Sequence, residues 1–199
     1  MAQSNFIQSV VKAAQGRPRS TDWYKDKIRE FGKPGALDLI RDGKRKKSPF
    51  YGRLNMFFYD PKFKKTLPYY DRFPLIFVVR KRGPLLEGFN FHYMHLKYRT
   101  QLLKDVSPFF DEKDLSADTR LRVTALRQII LTSMKYRFAR AAYHRYRLEN
   151  IRSKIIKISP LSWKSAILED AEKFYTGDGK VKKSAKVFRE TYLKTRGKR

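Results

Sequence analysis

The sequence predicts an α+β fold: a small curved antiparallel sheet, about residues 53–93, packed with helices and flanked by basic N- and C-terminal arms. Three observations carry this expectation. Only Arg53 to Arg99 shows a sustained strand-forming apolar pattern. Much of the remaining chain spaces its apolar residues by three and four, as a single buried helix face requires. Positive charge also gathers outside the sheet: residues 118–199 hold 22 cations against 7 acids, within a net charge of +27.

In the sheet, Leu54, Met56 and Phe58 alternate with Asn55, Phe57 and Tyr59, the period of two of a pleated strand. Leu75 to Val79 is apolar on both faces and is expected to be the central strand. Gly83-Pro84 marks a turn, after which Phe89, Phe91 and Tyr93 share one face, with Asn90 and His92 on the other.

The 199 residues divide into a basic helical arm (1–50), an α+β core (51–174) and a basic tail (175–199). The apolar fraction of 41% falls below the usual ~45–50%, so aromatic residues must supply much of the core. The absence of Cys excludes disulfides and thiolate chemistry. No apolar run approaches the ~18 residues of a membrane span, and Met1 to Gln15 lacks a signal-peptide pattern.

In chain order, Phe6, Ile7, Val10 and Val11 predict a first short helix and Trp23, Ile28 and Phe31 a second, capped by Thr21. Lys44-Arg45-Lys46-Lys47 reads as a basic loop before the sheet. After the sheet, Met94 to Val106 should be helical with Leu96, Leu102 and Leu103 inward, ending before Pro108. Val123, Leu126, Ile130, Met134, Phe138 and Ala141 then predict one long helix, roughly Asp118 to Asn150. Ser162 caps a helix over Trp163 to Phe174, and Thr176 to Lys180 is a turn. Val181 to Arg199, with eight cations and one acid, is expected to be a mobile arm or a helix formed only on binding.

Chemistry-bearing patterns are sparse. His92 and His95 lack neighbouring ligands for a metal, and His92 reads as a hydrogen-bonded sheet residue. Asp60, Asp71 and Glu87 do not show the clustered spacing of a metal-dependent nuclease, and Asp60 and Asp71 read as turn residues. Neither a phosphate-cradling glycine loop nor a nucleophile motif occurs. The expectation is therefore a non-enzyme without metal, cofactor or small-molecule substrate. Its charge calls for a polyanion, nucleic acid before acidic protein surfaces. On the long helix, Arg137, Arg140, His144 and Arg147 would form one row suited to phosphates, with Tyr143 and Tyr146 offering rings for end bases to stack on. Lys44, Arg45, Lys46, Lys47, Arg152 and Lys154 complete the candidate nucleic-acid-binding set.

Three groups of residues carry a family resemblance: Met56 to Lys62, Leu67 to Ile76 and Gly88 to Tyr93. Lys135 to Phe138, Ile151 to Lys154 and Trp163 to Ile167 continue it. Together they resemble DNA end protector-like, head-completion virion proteins of contractile-tailed bacteriophages, from about Arg53 to Phe174. The resemblance implies a non-enzymatic virion protein of the head or neck/tail, made in the host cytoplasm. It would bind DNA through its backbone and at the packaged duplex end, alongside other virion proteins and with no membrane partner. The chain departs from the family pattern at Arg80 to Leu85, a more basic hairpin, and at Lys164-Ser165, where a more acidic pair is expected. The rival readings are a purely structural neck or baseplate adaptor for acidic protein surfaces, then a ribosome-type RNA binder, then a nuclease.

Overall fold

The computed structural model describes residues 44–46, 49, 51–107, 117–168 and 174–196. The two expected N-terminal helices and Lys47 lie outside them. In chain order, strands β1 (Lys44–Lys46), β2 (Leu54–Met56), β3 (Tyr70–Asp71), β4 (Leu75–Arg82) and β5 (Leu85–Asn90) precede helices α1 (Leu96–Val106), α2 (Ala117–Thr132) and α3 (Arg137–Arg140). Strands β6 (Tyr143–Arg147) and β7 (Ile155–Lys157), helix α4 (Trp163–Leu168), strands β8 (Phe174–Tyr175) and β9 (Val181–Lys182) and helix α5 (Ser184–Arg196) follow.

The fold is α+β, and its main sheet extends beyond residues 53–93. Six strands run in the order β1-β7-β2-β4-β5-β6, every pair antiparallel. A second sheet has the order β3-β8-β9. As the sequence requires, Leu75 to Val79 is buried throughout. Leu75, Phe77 and Val79 face a large core with Val123, Leu126 and Ile130 of α2, Trp163 and Ile167 of α4, and Val187 and Phe188 of α5. Ile76 and Val78 face a smaller cluster of Phe57, Tyr59, Leu86, Tyr146 and Ile155. The last sheet-pattern residues differ from expectation: Phe91–Tyr93 form a 3-10 turn, capped by the Asn90 side chain accepting from the His92 N–H.

Three further expectations are corrected. The basic run at Lys44 is not a loop: Lys44–Lys46 is an edge strand, with Lys46 opposite Ile155. The long helix stops at Thr132, where Ser133 turns to extended backbone and its hydroxyl accepts from the Lys135 N–H. Beyond that break the predicted stripe fails, for Met134 is 69% exposed, and Tyr143–Arg147 is a strand. The open edge of β5 supplies the pairing that overrides the helical spacing. The tail is likewise no loose arm. The expected boundary at 174/175 falls inside β8, which pairs with β9 across the Thr176–Lys180 turn, and α5 docks on the core through Val187, Phe188, Thr191 and Thr195. The helix begun at Trp163 extends to Leu168, and Phe174 belongs to β8.

Candidate nucleic-acid interface

β6 is one edge of the main sheet, and the β4–β5 hairpin projects beside it. The turn at Gly83-Pro84 needs the left-handed backbone of Gly83, φ 54°, which costs glycine little. Register then decides the surface. Arg80 stands opposite Glu87, which stands opposite Arg145; Arg82 stands opposite Leu85, which stands opposite Arg147. Cross-strand neighbours and alternate residues share a face. Arg80, Arg82, Arg145 and Arg147 therefore lie together, and all four are exposed. With strands ~4.8 Å apart and ~6.7 Å between alternate residues, their Cα atoms outline a patch of roughly 10 by 7 Å. An irregularity between Val78 and Arg80 keeps both arginines of β4 on this side.

The patch rests on a polar support. Glu87 is nearly buried, with Oε1 3.3 Å from Arg145 Nε. The Tyr143 hydroxyl donates to Glu87 Oε2 at 2.5 Å and accepts from Arg127 Nε at 2.8 Å. Burial, and then the Glu87 bond, raise the Tyr143 pKa. Arg147 also reaches Glu149, at 3.0 Å, through an exposed pair. No carboxylate among the described residues pairs with Arg80, Lys81 or Arg82.

The opposite side of β6 is interior. Tyr146 packs edge-on against Phe57 and Tyr59, at ring centroids of 5.5 and 4.9 Å. Its hydroxyl accepts from Asn90 Nδ2 at 2.9 Å. Asn90 Nδ2 also reaches Asp71 Oδ2, at 3.1 Å, and that oxygen lies 2.7 Å from His92 Nδ1. Asp71 is thus the hub of a buried network, and its Oδ1 takes the Phe73 N–H two residues on, as an Asp at a turn does. Burial pushes the Tyr146 pKa well up. His144 stacks on Tyr93 at 4.0 Å, its Nε2 is buried, and burial holds its pKa near 4.

The candidate row is accordingly dispersed. Arg137 Nε donates to the Thr195 carbonyl at 2.6 Å, and Arg140 Nη2 to the Thr132 carbonyl at 2.8 Å. Both bind helix C-terminal carbonyls, where a cation also suits the dipole. Tyr143 is half-buried, and Tyr146 and His144 are turned inward, so neither tyrosine presents a free ring face to a base. Only Arg147 of that helical row joins the patch. Arg152 and Lys154 are exposed ahead of β7, outside the face that Arg80, Arg82, Arg145 and Arg147 share. Arg80, Arg82 and Arg145 of the patch were not among the candidates read from the sequence; for Arg80 and Arg82 the signal was the basic departure of Arg80 to Leu85 from the family pattern.

Asp60 pairs with Lys64, apart from Asp71 and Glu87, and no group of three potential metal-ligating side chains occurs among the described residues. Nor is any helix among them long and apolar enough to cross a membrane. No curated protein and no solved structure matches the chain. The family model described as Phage T4 terminal DNA protecting protein matches residues 4–191, extending the resemblance past Arg53 and Phe174 at both ends. With nearly its whole length matched, the chain belongs to the family of the phage T4 terminal DNA protecting protein.

Proposed function

We propose that this chain is a non-enzymatic virion protein that binds the end of packaged phage DNA and shields it from exonucleases. The observation that carries the reading is the register-fixed cluster of Arg80, Arg82, Arg145 and Arg147 at the open edge of the sheet. Guanidinium groups bond phosphate oxygens in pairs, and each phosphate neutralised releases condensed counterions. The rigid hairpin fixes the arginine backbones before DNA arrives, which reduces the ordering cost of binding. Arg152 and Lys154, exposed ahead of β7, offer further phosphate contacts. Such contacts hold a duplex without reading its sequence. Protection then follows from occupancy: a nuclease that enters at a terminus meets protein in place of free backbone. A place in the head or neck, beside other virion proteins, completes the proposal.

Competition between linear and closed-circular DNA of one sequence tests it, with exonuclease digestion of the linear form as the second readout. Preference for the linear form, with protection, supports the reading. Equal affinity for the two forms, with no protection, overturns end binding and favours the structural adaptor.

A further inference from the structure

A cavity of about 330 Å³ lies between the start of α1 and α5, lined on the α5 side by Phe188, Arg189, Thr191 and Tyr192. Three aromatic rings border it in near-parallel array. Tyr98 and Phe138 stack at 4.5 Å with 11° between planes, and Tyr192 follows Tyr98 at 6.4 Å and 12°. Tyr192 is 43% exposed, an uncommon position for a ring whose neighbours are already stacked. Lys97 Nζ lies 4.7 Å from the Tyr98 centroid, and the Arg196 guanidinium 5.8 Å from that of Tyr192. Lys97 and Arg189 line the cavity, and no carboxylate does among the described residues.

Two observations mark a built site. Thr191 lines the cavity, is 4% exposed, and its buried hydroxyl has no hydrogen-bond partner among the described residues. A buried hydroxyl left unpaired is costly, and a ligand acceptor or donor would satisfy it. The floor is also held rigid. Fully buried Arg99 donates to the carbonyls of Met94 (2.8 Å), Ile167 (3.1 Å) and His92 (3.4 Å), and its guanidinium lies 5.4 Å from the Phe188 ring. Met94 and Phe188 are themselves cavity-lining residues. Burial, then Lys97 and Arg99, hold the pKa of His95 near 4, so it is neutral and the positive charge at the rim belongs to Lys97 and Arg189.

We propose that this cavity binds one unpaired nucleotide at a DNA end, its base stacked on the Tyr98–Tyr192 ladder and its phosphate on Lys97 and Arg189. The inference rests on the end-binding reading and supplies what phosphate neutralisation lacks, a means of telling a terminus from internal duplex. Inside a duplex both faces of a base are covered; a frayed or overhanging base offers one. The cavity volume sits at the low end of small-molecule sites, room for a nucleotide and not for a base pair. Aromatic stacking accepts any base, in keeping with a protein that need not read sequence.

The test uses the full chain and linear duplexes with one unpaired 2-aminopurine nucleotide at either the 3′ or the 5′ end, against duplexes carrying the probe internally. Stacking should quench the terminal probe and leave the internal one unchanged. Tyr192→Ala should abolish the quenching and weaken binding to the unpaired end by about tenfold, while Tyr192→Phe retains both. Tyr192 is partly exposed, so its loss should leave the fold intact, and affinity for closed-circular DNA should stay within twofold. A terminal probe that is not quenched, or is quenched equally in Tyr192→Ala, overturns the pocket while circular-DNA binding persists. Loss of all preference for linear DNA in the wild type overturns the end-binding reading and this inference with it. Equal affinity for free deoxyadenosine monophosphate without DNA would overturn the assignment to a DNA end.

Discussion

Glu87 Oε1 lies 3.3 Å from Arg145 Nε across the last strand pair, the carboxylate 4% exposed and the arginine 64%. One partner is fixed in the sheet and the other reaches solvent. The pair therefore orients Arg145 and gives a carboxylate withdrawn from water a cationic partner at the sheet surface. Its remaining N–H groups point outward, beside Arg80, Arg82 and Arg147.

Replacing Arg145→Ala together with Arg147→Ala should weaken DNA binding and lower the slope of log affinity against log salt by about two, one for each lost phosphate contact. The melting midpoint should fall only modestly, because both arginines are exposed and Glu87 keeps its hydrogen bond from Tyr143. Titrations at several salt concentrations check this. An unchanged slope would remove the β6 face from the interface.

The support beneath that face is more sensitive. A Cβ on Gly88 would sit 2.4 Å from the Phe77 carbonyl oxygen, so Gly88→Ala must force β4 and β5 apart. A loss of about 1–3 kcal/mol is expected, the range for overpacking. Phe77→Ala, from the fully buried strand, should cost about 3–5 kcal/mol. Thermal or denaturant unfolding measures both.

Stability should also fall with acid. His144 is held near pKa 4 by burial, with Lys194 assisting, while Asp71 and a hydrogen bond to the Ala141 backbone oppose. The unfolded imidazole titrates near 6.5, so between the two values the unfolded chain takes a proton that the folded chain refuses. The contribution, on the order of 3 kcal/mol, is complete above pH ~6.5 and lost as pH drops toward 4. His95 shifts in the same direction. Melting midpoints from pH 7 to 4.5 should decline, and His144→Phe, which keeps a ring against Tyr93, should flatten the decline. A variant profile parallel to wild type would show that His144 is not its source.

What was legible in the sequence follows from how local each signal is. Leu75 to Val79, the helix with Leu102 and Leu103, and the Gly83-Pro84 turn are written in short windows, and all three stand in the structure. β6 was not legible as a strand, because Tyr143 to Arg147 contains no β-branched residue and continues a helical spacing that began at Val123. Its conformation is imposed by the edge of β5, whose Leu85–Phe89 pair with residues 54 to 62 positions later. The tail misled for a different reason: its charge suggested disorder, yet Val187, Thr191 and Thr195 recur every four residues and give α5 a face to bury. For the site, charge located the partner class, while register selected which arginines meet. No sequence window contains the encounter of Arg80 with Arg145.

The sharpest discrimination between the sequence-level interface and the structural one lies in Arg137 and Arg140. On a continuous helix they would share a face with Arg147, and their loss would weaken DNA binding. In the fold each is spent on a carbonyl: Arg137 on Thr195 in the last turn of α5, Arg140 on Thr132 at the end of α2, with Ser133 at 3.4 Å. These bonds close helix ends that lack intrahelical partners, and they tie α3 to both helices. Arg137→Ala with Arg140→Ala should therefore lower stability by about 2–4 kcal/mol, taking ~1–2 for each charged hydrogen bond in a partly exposed setting. The salt slope of DNA binding should fall by less than one. That is the reverse of the pattern expected for Arg145→Ala with Arg147→Ala. Measuring melting and salt dependence on both double variants gives a two-by-two comparison. If the Arg137/Arg140 variant loses the salt slope and keeps its midpoint, the interface lies along α3 and the arginine patch on β4 and β6 is only surface.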